Sequence, residues 1–378
     1  MTVIYYPTGD PDGIRFGKDA IISAYYHSQA DLFFGGMPQA ELTVQLRSTT
    51  PILPQREEKL ELELGGGTQM TGYIKSARRL SQDRYQLVAS ARYEQLQLDF
   101  IGDFYENVPF VTLQTQIAGE VNMGADDAVC SKTITGYLPN SNRLSAIEKL
   151  AFASEATLVW SRYGMLRFRS LKNGYTFQIP KGQMLQDMSV RHLPLYTHYE
   201  VGAHSYTPGQ LEVLLRDHQE YLTSPATITF TTPHYDYWLT DEPCGEIQES
   251  GPNFLTLIHQ GVVTVYAKPY IHEVHYLTRQ GETDGDYIRK MTVRDNTLIQ
   301  QDNAQSLLSH MQWLGGLRQQ LQCKMLVRPG EFAPEPGDCL LVPTLWGSWF
   351  RGYVTKTRGE LSRDWMQMEL TLCGKEEV

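Results

Sequence analysis

The sequence is short of the features that mark secreted, membrane-spanning and metal-binding proteins. Its five cysteines are odd in number and widely scattered, and no CxxC pair occurs, which excludes a disulfide framework and a zinc ribbon. No apolar run approaches the roughly 18 residues that a membrane helix needs. The first residues alternate apolar and polar and carry Asp10 and Asp12, so they do not read as a signal peptide. We therefore expect a chain that is made in the cytosol and does not itself bind a membrane.

Positive charge is also scarce. The chain has 33 Lys and Arg against 43 Asp and Glu, a formal net charge of −10. A nucleic-acid-binding protein needs a basic stripe that displaces counterions from phosphate. The only basic cluster, Arg78 and Arg79 with Arg84, falls in a hairpin pattern and is typical of a solvated turn. This composition argues against a nucleic-acid binder.

Enzyme and metal signatures are missing or misplaced. There is no GxSxG motif, no P-loop and no GxGxxG after a strand. His272-Glu273-Val274-His275 has one residue too few between Glu and the second His for a zincin. The surrounding segment is rich in Val, Tyr and Ile and contains Pro269, which favours a strand, and a strand would place His272 and His275 on opposite faces.

Three further histidines, His192, His198 and His204, are spaced six residues apart. On one strand face such neighbours lie about 20 Å apart, so a shared ion would need one histidine from each of several subunits. We predict no catalytic residue, no cofactor and no metal ligand.

One acidic and aromatic stretch leaves a sugar site open. Acidic side chains surround the segment from His234 to Trp238: Asp236, Asp241, Glu242 and Glu246. Paired carboxylates beside aromatic rings are typical of glycoside hydrolysis, and equally of an exposed loop. We favour the loop.

Period-two alternation predicts strands in the first hundred residues. Glu41 to Leu46 alternates, and Lys59 to Leu64 places three leucines on one face. Gly65 to Gly67 permits a tight turn, and Gly72 to Ala77 and Tyr85 to Ala89 continue as strands. The pattern predicts a β-meander with one buried and one solvated face.

The period changes in the middle of the chain. Val111, Gln114 and Ile117 suit the start of a short helix, and Leu144 to Ser154 forms an amphipathic helix pattern with Asn142 as N-cap. A hairpin follows, from Ala156 to Arg169, which predicts a small α+β unit. A second amphipathic helix runs from Asn303 to Leu314 and stops at two glycines.

An internal repeat is the most informative feature. Gly72 to Ala89 aligns with Gly352 to Leu370 with one gap opposite Glu360, and Gly, Tyr, Arg, Leu, Ser, Asp and Gln coincide. Strand patterns lie upstream of both copies, at Lys59 to Leu64 and Asp338 to Val342, and further back at Leu42 to Leu46 and Gln322 to Val327. We predict that the two hairpins superpose with Tyr73 matching Tyr353.

In order along the chain, the motifs resemble those of phage tail hub proteins: the baseplate hubs of contractile phages, late-control D-type tail proteins, the N-terminal part of VgrG and hubs of Gram-positive prophages. The segments that carry the resemblance are the opening strand Ile21 to Ala24, the turn Met37 to Leu42, the "L…IA" helix Leu144 to Ala153, the "G-x-L" hairpin Gly164 to Leu166, the "NPLI" step Asp295 to Ile299, the "PGD" turn Pro336 to Asp338 and the strand Gly352 to Val354. Thr297 stands where the family often has proline, which weakens that one match.

The resemblance implies a mainly β (α+β) fold with two duplicated barrel-like domains, a small inserted α+β domain and a capacity to form rings. We expect the first tube-like β-barrel at 1–107, the α+β domain at 108–184, the second barrel at 185–205 with 291–378, and a β-rich insert at 206–290. The sequence stops soon after the second hairpin, so we expect any spike or lytic activity to reside in a separate chain.

The implied function is that of a structural, non-enzymatic tail hub subunit of a phage or phage-like particle. A homotrimer would form a pseudo-sixfold ring at the virion tail tip, assembled in the bacterial host cytoplasm. Its partners would be the tail tube or distal tail protein, the tail-tip spike or needle and the tape measure protein, with DNA or effector only in transit. The alternative is a glycan-binding or glycan-cleaving tail-tip protein that uses the insert 206–290.

The negative net charge suggests a hypothesis for the channel of such a ring. A lumen that bound phosphate would trap the genome, so we expect Glu61 and Glu63, or the matching C-terminal strands, to face the channel. Arg78 and Arg79 would then point towards the rim.

Overall fold

The computed structural model describes residues 1–172, 174–240, 245–282, 288–362 and 364–377. The fold is mainly β with a small α+β part, as predicted. The α-helices of the described residues are α1 (Phe110–Ala118), α2 (Asp127–Cys130), α3 (Arg143–Ala153) and α4 (Ala304–Gly315), with 3-10 turns at Glu94–Gln97 and Lys181–Gln183. None of these helices is long and apolar enough to cross a bilayer.

Twenty-eight strands are described. The first fourteen are β1 (Thr2–Tyr6), β2 (Ile14–Gly17), β3 (Ile21–Gln29), β4 (Gln39–Arg47), β5 (Lys59–Leu64), β6 (Gly67–Arg79), β7 (Arg84–Ser90), β8 (Asp99–Phe100), β9 (Phe104–Pro109), β10 (Met123–Ala125), β11 (Thr133–Tyr137), β12 (Ser141–Asn142), β13 (Thr157–Trp160) and β14 (Leu166–Arg169). The others are β15 (Thr176–Gln178), β16 (Met184–His192), β17 (His198–Pro208), β18 (Val213–Glu220), β19 (Ala226–Thr229), β20 (His234–Thr240), β21 (Gly245–Gly251), β22 (Phe254–His259), β23 (Val262–Gln280), β24 (Lys290–Val293), β25 (Gln319–Val327), β26 (Cys339–Pro343), β27 (Trp349–Leu361) and β28 (Met366–Glu377).

One thirteen-stranded sheet contains strands from both ends of the chain. Its order is β16-β25-β28-β27-β3-β4-β7-β6-β5-β1-β2, with β26 added to β27 and β15 added to β26. The alternation seen in the sequence places one face of each strand in the core. Leu60, Leu62 and Leu64 are all at most 2% exposed, which removes their apolar surface from water and stabilises the meander.

The α+β unit follows the predicted pattern. The Asn142 side chain accepts a hydrogen bond from the Ser145 amide at 2.9 Å and caps α3. Helices α1 and α3 pack on each other, and Phe110 of α1 meets Phe168 of β14 edge to face, with ring centroids 5.0 Å apart. Strands β13 and β14 form the expected antiparallel hairpin.

The insert is built around the long strand β23. Its N-terminal half pairs with β18 and β20, and its C-terminal half pairs with β17 from Tyr270 to Gln280. A second, three-stranded sheet of β19, β22 and β21 packs over it through a small core that includes Phe230, Leu255 and Leu257. Strand β17 runs across the boundary expected at 205/206, so the base of the insert and the chain leading into it share one sheet.

An aromatic cluster holds the insert against the α+β unit. Phe104 and Tyr137 contact Tyr206 and Tyr270 of the β17–β23 pair, with ring centroids 4.7 to 5.4 Å apart. The buried Asn253 amide donates to the Gly102 carbonyl at 2.8 Å. The ring contacts and this hydrogen bond together hold the insert in place. Separating the two parts would leave the buried Asn253 amide without an acceptor, which costs free energy.

Candidate functional site: the edges of the duplicated sheet

The two predicted hairpins have the same construction. In β6·β7 the register shifts between Ile74 and Ser76, and in β27·β28 it shifts between Val354 and Lys356. Tyr73 pairs with Lys59 of the preceding strand, and Tyr353 pairs with Cys339 of its own preceding strand. A shared bulge position is not required by hairpin formation. The predicted match of Tyr73 with Tyr353 is therefore confirmed. The second strands do not follow the predicted alignment, because Leu370 pairs with Thr357 as Leu87 pairs with Ala77, whereas the alignment set Leu370 against Ala89.

The turn before each hairpin is duplicated in detail. Glu57 and Gly337 both adopt a left-handed conformation, with φ of 73° and 87°. Each donates its amide to the hairpin strand, Glu57 to Ile74 at 2.9 Å and Gly337 to Val354 at 2.8 Å. The left-handed residue in the first repeat is a glutamate, so the "PGD" pattern does not reveal this match in the sequence.

The carboxylate after the left-handed residue completes the turn. Glu58 accepts from the Gln55 amide and Asp338 from the Glu335 amide, both at 2.7 Å. Burial opposes ionisation of Glu58, but hydrogen bonds from Tyr5 and from the Thr8 and Gln55 amides outweigh it and hold its pKa below the usual range.

The strand order is repeated as well. The first repeat runs β3-β4-β7-β6-β5, and the second runs β16-β25-β28-β27-β26. The repeats join edge to edge where Lys356–Leu361 of β27 pairs antiparallel with Ala24–Gln29 of β3. We call this pairing the internal joint.

Two edges of the sheet match the internal joint but lack a partner strand. Strand β16 holds the place of β3, and its side away from β25 pairs with no strand in the described part of the chain. Lys75–Arg79 of β6 holds the place of the joined part of β27, and its side away from β7 is equally unpaired there. We call these the open edges.

Exposure differs between the internal joint and the open edges. Thr357 is 1% exposed in the joint, and Gly359 is buried, whereas their counterparts Ala77 and Arg79 are exposed. Thr357 and Gly359 are thus covered by β3 of the other repeat. Ala77 and Arg79, which hold the same positions in the first repeat, have no strand over them in the described part of the chain. Unpaired strand edges are templates for pairing with another chain.

The sheet also has a continuous polar face. A row of side chains with mostly alternating charge crosses it from strand to strand: Asp187, Lys324, Glu369, Arg358, His27 and Glu41. Charges of both signs therefore lie on this face.

The two glutamates expected to face a channel differ in exposure. Glu61 is 9% exposed and accepts hydrogen bonds from Thr68 and Tyr6, so the expectation for Glu61 is wrong. Glu63 is half-buried beside Arg15 at 3.6 Å. Arg78 lies opposite Gln86, and both Arg78 and Arg79 are exposed.

The candidate histidines do not converge on a metal. His272 contacts His204 and stacks on Tyr206, whereas His275 lies 3.8 Å from Glu273, so His272 and His275 face opposite sides as predicted. No group of three or more His, Cys, Asp or Glu within the described ranges could hold a metal ion.

The structure contains a histidine pair that the sequence did not predict. His204 Nδ1 lies 2.8 Å from His272 Nε2, and His204 Nε2 lies 2.8 Å from the Arg294 carbonyl. Burial lowers the pKa of both rings. The pair arises from the antiparallel pairing of β17 with β23, which no spacing along one segment reveals.

Among the residues of the acidic stretch that the structure describes, no two carboxylates form a pair. Asp236 bonds Lys268 at 2.6 Å and Glu246 is exposed on β21. Asp241 and Glu242 lie outside the described residues. His234 of this stretch is buried, and the Tyr237 ring packs on Phe230.

Comparison with known proteins rests on structure alone. No protein-family model and no curated protein matches the chain. The fold is shared with tail proteins of prophages. The chain matches the 43 kDa tail protein of prophage MuSo2 from Shewanella oneidensis over 99% of its length and 98% of that chain, with a TM-score of 0.54 and 7% identity.

Two more tail proteins match over nearly their whole length. The tail protein from Neisseria meningitidis has a TM-score of 0.53 and 13% identity, covering 99% of this chain and 96% of that one. The prophage tail protein gp18 from Listeria monocytogenes has a TM-score of 0.51 and 11% identity, covering 100% and 96%. These tail proteins are similar to this chain in fold, in agreement with the resemblance read from its motifs.

Proposed function

We propose that the chain is a non-enzymatic structural subunit of a phage or phage-like tail that closes into a homotrimeric ring. The observation that carries the proposal is the pair of open edges. Each copy offers one edge of the type that β3 supplies and one of the type that β27 supplies, so copies can join head to tail. A head-to-tail contact must close into a ring or grow into a filament.

Three copies of a duplicated chain give a ring of six similar elements. Within each copy the internal joint supplies one contact, and the open edges supply an equivalent contact to the next copy. Closure leaves neither of the two open edges free for unwanted pairing. The three-copy stoichiometry comes from the resemblance to tail hubs, which adapt a sixfold tube to a threefold spike.

We infer the place of the ring from the same resemblance. It would sit at the virion tail tip, between the tail tube or distal tail protein and the spike or needle, with the tape measure protein as a further partner and DNA or effector passing through. The domain division at 1–107, 108–184, 185–205 with 291–378, and 206–290 belongs to this proposal. The glycan-binding or glycan-cleaving alternative has no geometric support from Asp236 and Glu246, and a glycan array with a peptidoglycan release assay tests it.

The test uses the register of the internal joint. Thr357 pairs with Ser28 there. Ala77 faces Leu87 as Thr357 faces Leu370. In the second repeat, His192 lies opposite Gln319, which precedes Leu321 by two residues. In the first repeat, Ser28 lies opposite Ala40, which precedes Leu42 by two residues. His192 therefore holds the position of Ser28. The ring therefore places Ala77 opposite His192 of the next copy, with Cα atoms about 4.5 to 5.5 Å apart.

We expect the double variant Ala77→Cys, His192→Cys to form covalent trimers on mild oxidation, while each single variant stays uncross-linked. Sedimentation of the untreated chain and electron micrographs of assembled particles give the stoichiometry. Absence of cross-linked species together with monomers in assembled particles would overturn the proposal.

A further inference from the structure

The loop before the left-handed turn differs sharply in exposure between the repeats. The second-repeat loop, 328–337, is covered by other parts of the same chain: Ala333 is 3% exposed, and Arg162 of the α+β unit donates to its carbonyl at 2.6 Å. The first-repeat loop, 48–57, carries Leu53 at the position of Ala333, and Leu53 is 84% exposed. A large apolar side chain thus lies uncovered where its counterpart is buried.

The hairpin turn that touches this loop is also duplicated. In the first repeat the turn Gly65-Gly66 abuts the second-repeat loop, because a Cβ on Gly65 would lie 2.9 Å from Pro329 Cα. In the second repeat the matching turn is Leu345-Trp346, and these side chains are 54% and 51% exposed. The turn that makes its contact within the chain consists of two glycines. The matching turn, which is exposed, consists of two large apolar residues.

The open turn is held in a defined shape. The Trp346 indole N–H donates to the Glu376 carboxylate, and the Ser348 hydroxyl donates to the same carboxylate. Glu376 belongs to β28, so the turn is tied to the sheet beneath it. A rigid aromatic side chain on an ordered turn loses little conformational entropy when it is covered.

We propose that the Leu345-Trp346 turn of one copy covers Leu53 and its loop on the next copy, and that this apolar contact is the main source of affinity between copies. The inference rests on the proposed ring and names the partner of the surface, a second copy of this chain. Equivalence with the internal joint sets the occupant, because Gly65 already makes the corresponding contact with Pro329.

The open edges and the turn-loop contact contribute differently to assembly, because their chemistry differs. Strand-edge hydrogen bonds replace bonds to water and so contribute little net free energy, but they fix the register. Burial of a leucine and a tryptophan supplies a larger favourable term, and aromatic residues dominate such contacts. The edges therefore orient the copies, and the turn and loop hold them together.

The experiment compares three exposed leucine and tryptophan positions in the full chain. We expect Leu53→Asp and Trp346→Asp each to raise the dissociation constant of the contact by about tenfold to a hundredfold, measured by sedimentation over a range of concentrations. Leu222→Asp is the matched control, because Leu222 is 98% exposed and belongs neither to the loop 48–57 nor to the Leu345-Trp346 turn, so it should leave the constant unchanged.

A charge pair then tests direct contact. Leu53→Asp combined with Leu345→Lys should recover part of the lost affinity, since opposite charges replace the apolar contact. Because Leu53, Leu222 and Leu345 are exposed in the single chain, their variants should unfold at the same temperature as the parent when both are monomeric. Trp346→Asp also loses the indole bond to Glu376, so the inference is judged on Leu53→Asp. Unchanged assembly of Leu53→Asp, with the Ala77–His192 cross-link still forming, would refute this inference and leave the ring intact. Absence of the cross-link in the Ala77→Cys, His192→Cys variant without any further substitution would count against both the ring and this inference.

Discussion

Gly359 lies directly opposite Tyr26 in the internal joint, and its replacement by alanine measures how tightly the two repeats are packed. A Cβ at position 359 would lie 2.8 Å from Tyr26 Cζ and 2.9 Å from Met366 Sδ, and closer still to Tyr26 Cε1. Tyr26 is 5% exposed and Met366 is fully buried. Neither neighbour can move into solvent, so the added methyl must displace packed core atoms.

The expected cost follows from two opposing effects. Overpacking of a filled core costs about 1 to 3 kcal/mol. Alanine in a strand recovers about 0.5 to 1 kcal/mol, because it restricts the unfolded chain more than glycine does. Because neither neighbour can move away, the cost falls in the upper part of its range, about 2 to 3 kcal/mol, and we expect Gly359→Ala to lower the free energy of unfolding by about 1 to 2.5 kcal/mol.

Urea unfolding followed by tryptophan fluorescence measures the effect, with Gly17→Ala as control. A Cβ on Gly17 would meet no atom within 4 Å, so that variant should be neutral or slightly stabilising. Tyr26→Leu in the Gly359→Ala background should cost less than Tyr26→Leu alone, since the smaller side chain leaves room for the methyl. Equal stabilities for Gly359→Ala and Gly17→Ala would refute the reasoning about packing at the joint.

Two further predictions concern helices. Asn142→Ala should cost about 1 kcal/mol, because it removes the cap of α3, whereas Asn142→Ser should keep most of the stability; thermal unfolding separates them, and equal losses would contradict the capping role. Burial lowers the pKa of His310 on α4 from 6.5 to about 4, so between these pH values the unfolded chain takes up a proton that the folded chain does not, and stability should fall as pH drops through this window. His310→Gln should flatten that dependence in urea titrations at pH 7, 6 and 5, and an unchanged slope would count against it.

Local patterns predicted much of the fold. The alternating leucines of β5, the cap at Asn142 and the two-glycine stop after α4 depend on neighbours in sequence, so single segments reveal them. The hairpin equivalence was also visible, because glycine and tyrosine recur at positions that the bulge constrains.

Features that depend on pairing between distant strands could not be predicted from the sequence. Glu61 looks like a solvent-facing residue by alternation, yet Tyr6 of β1 and Thr68 of β6 cover it and satisfy its carboxylate. The His204–His272 contact needs β17 to pair with a strand about seventy residues away. The open edges are a property of the assembled sheet order, which no local periodicity encodes.

The internal joint also has a consequence for how a ring would be built. Two repeats on one polypeptide meet at the effective concentration set by their connection rather than by the number of molecules in the cell. Half of the contacts of a six-element ring would then form during folding of each chain, and only the remaining half would depend on encounters between chains. The two classes of contact are also free to diverge in sequence. The contact within one chain can rely on glycine and on close approach of the backbone. The contact between chains has to supply its own binding free energy, for which large apolar side chains are suited.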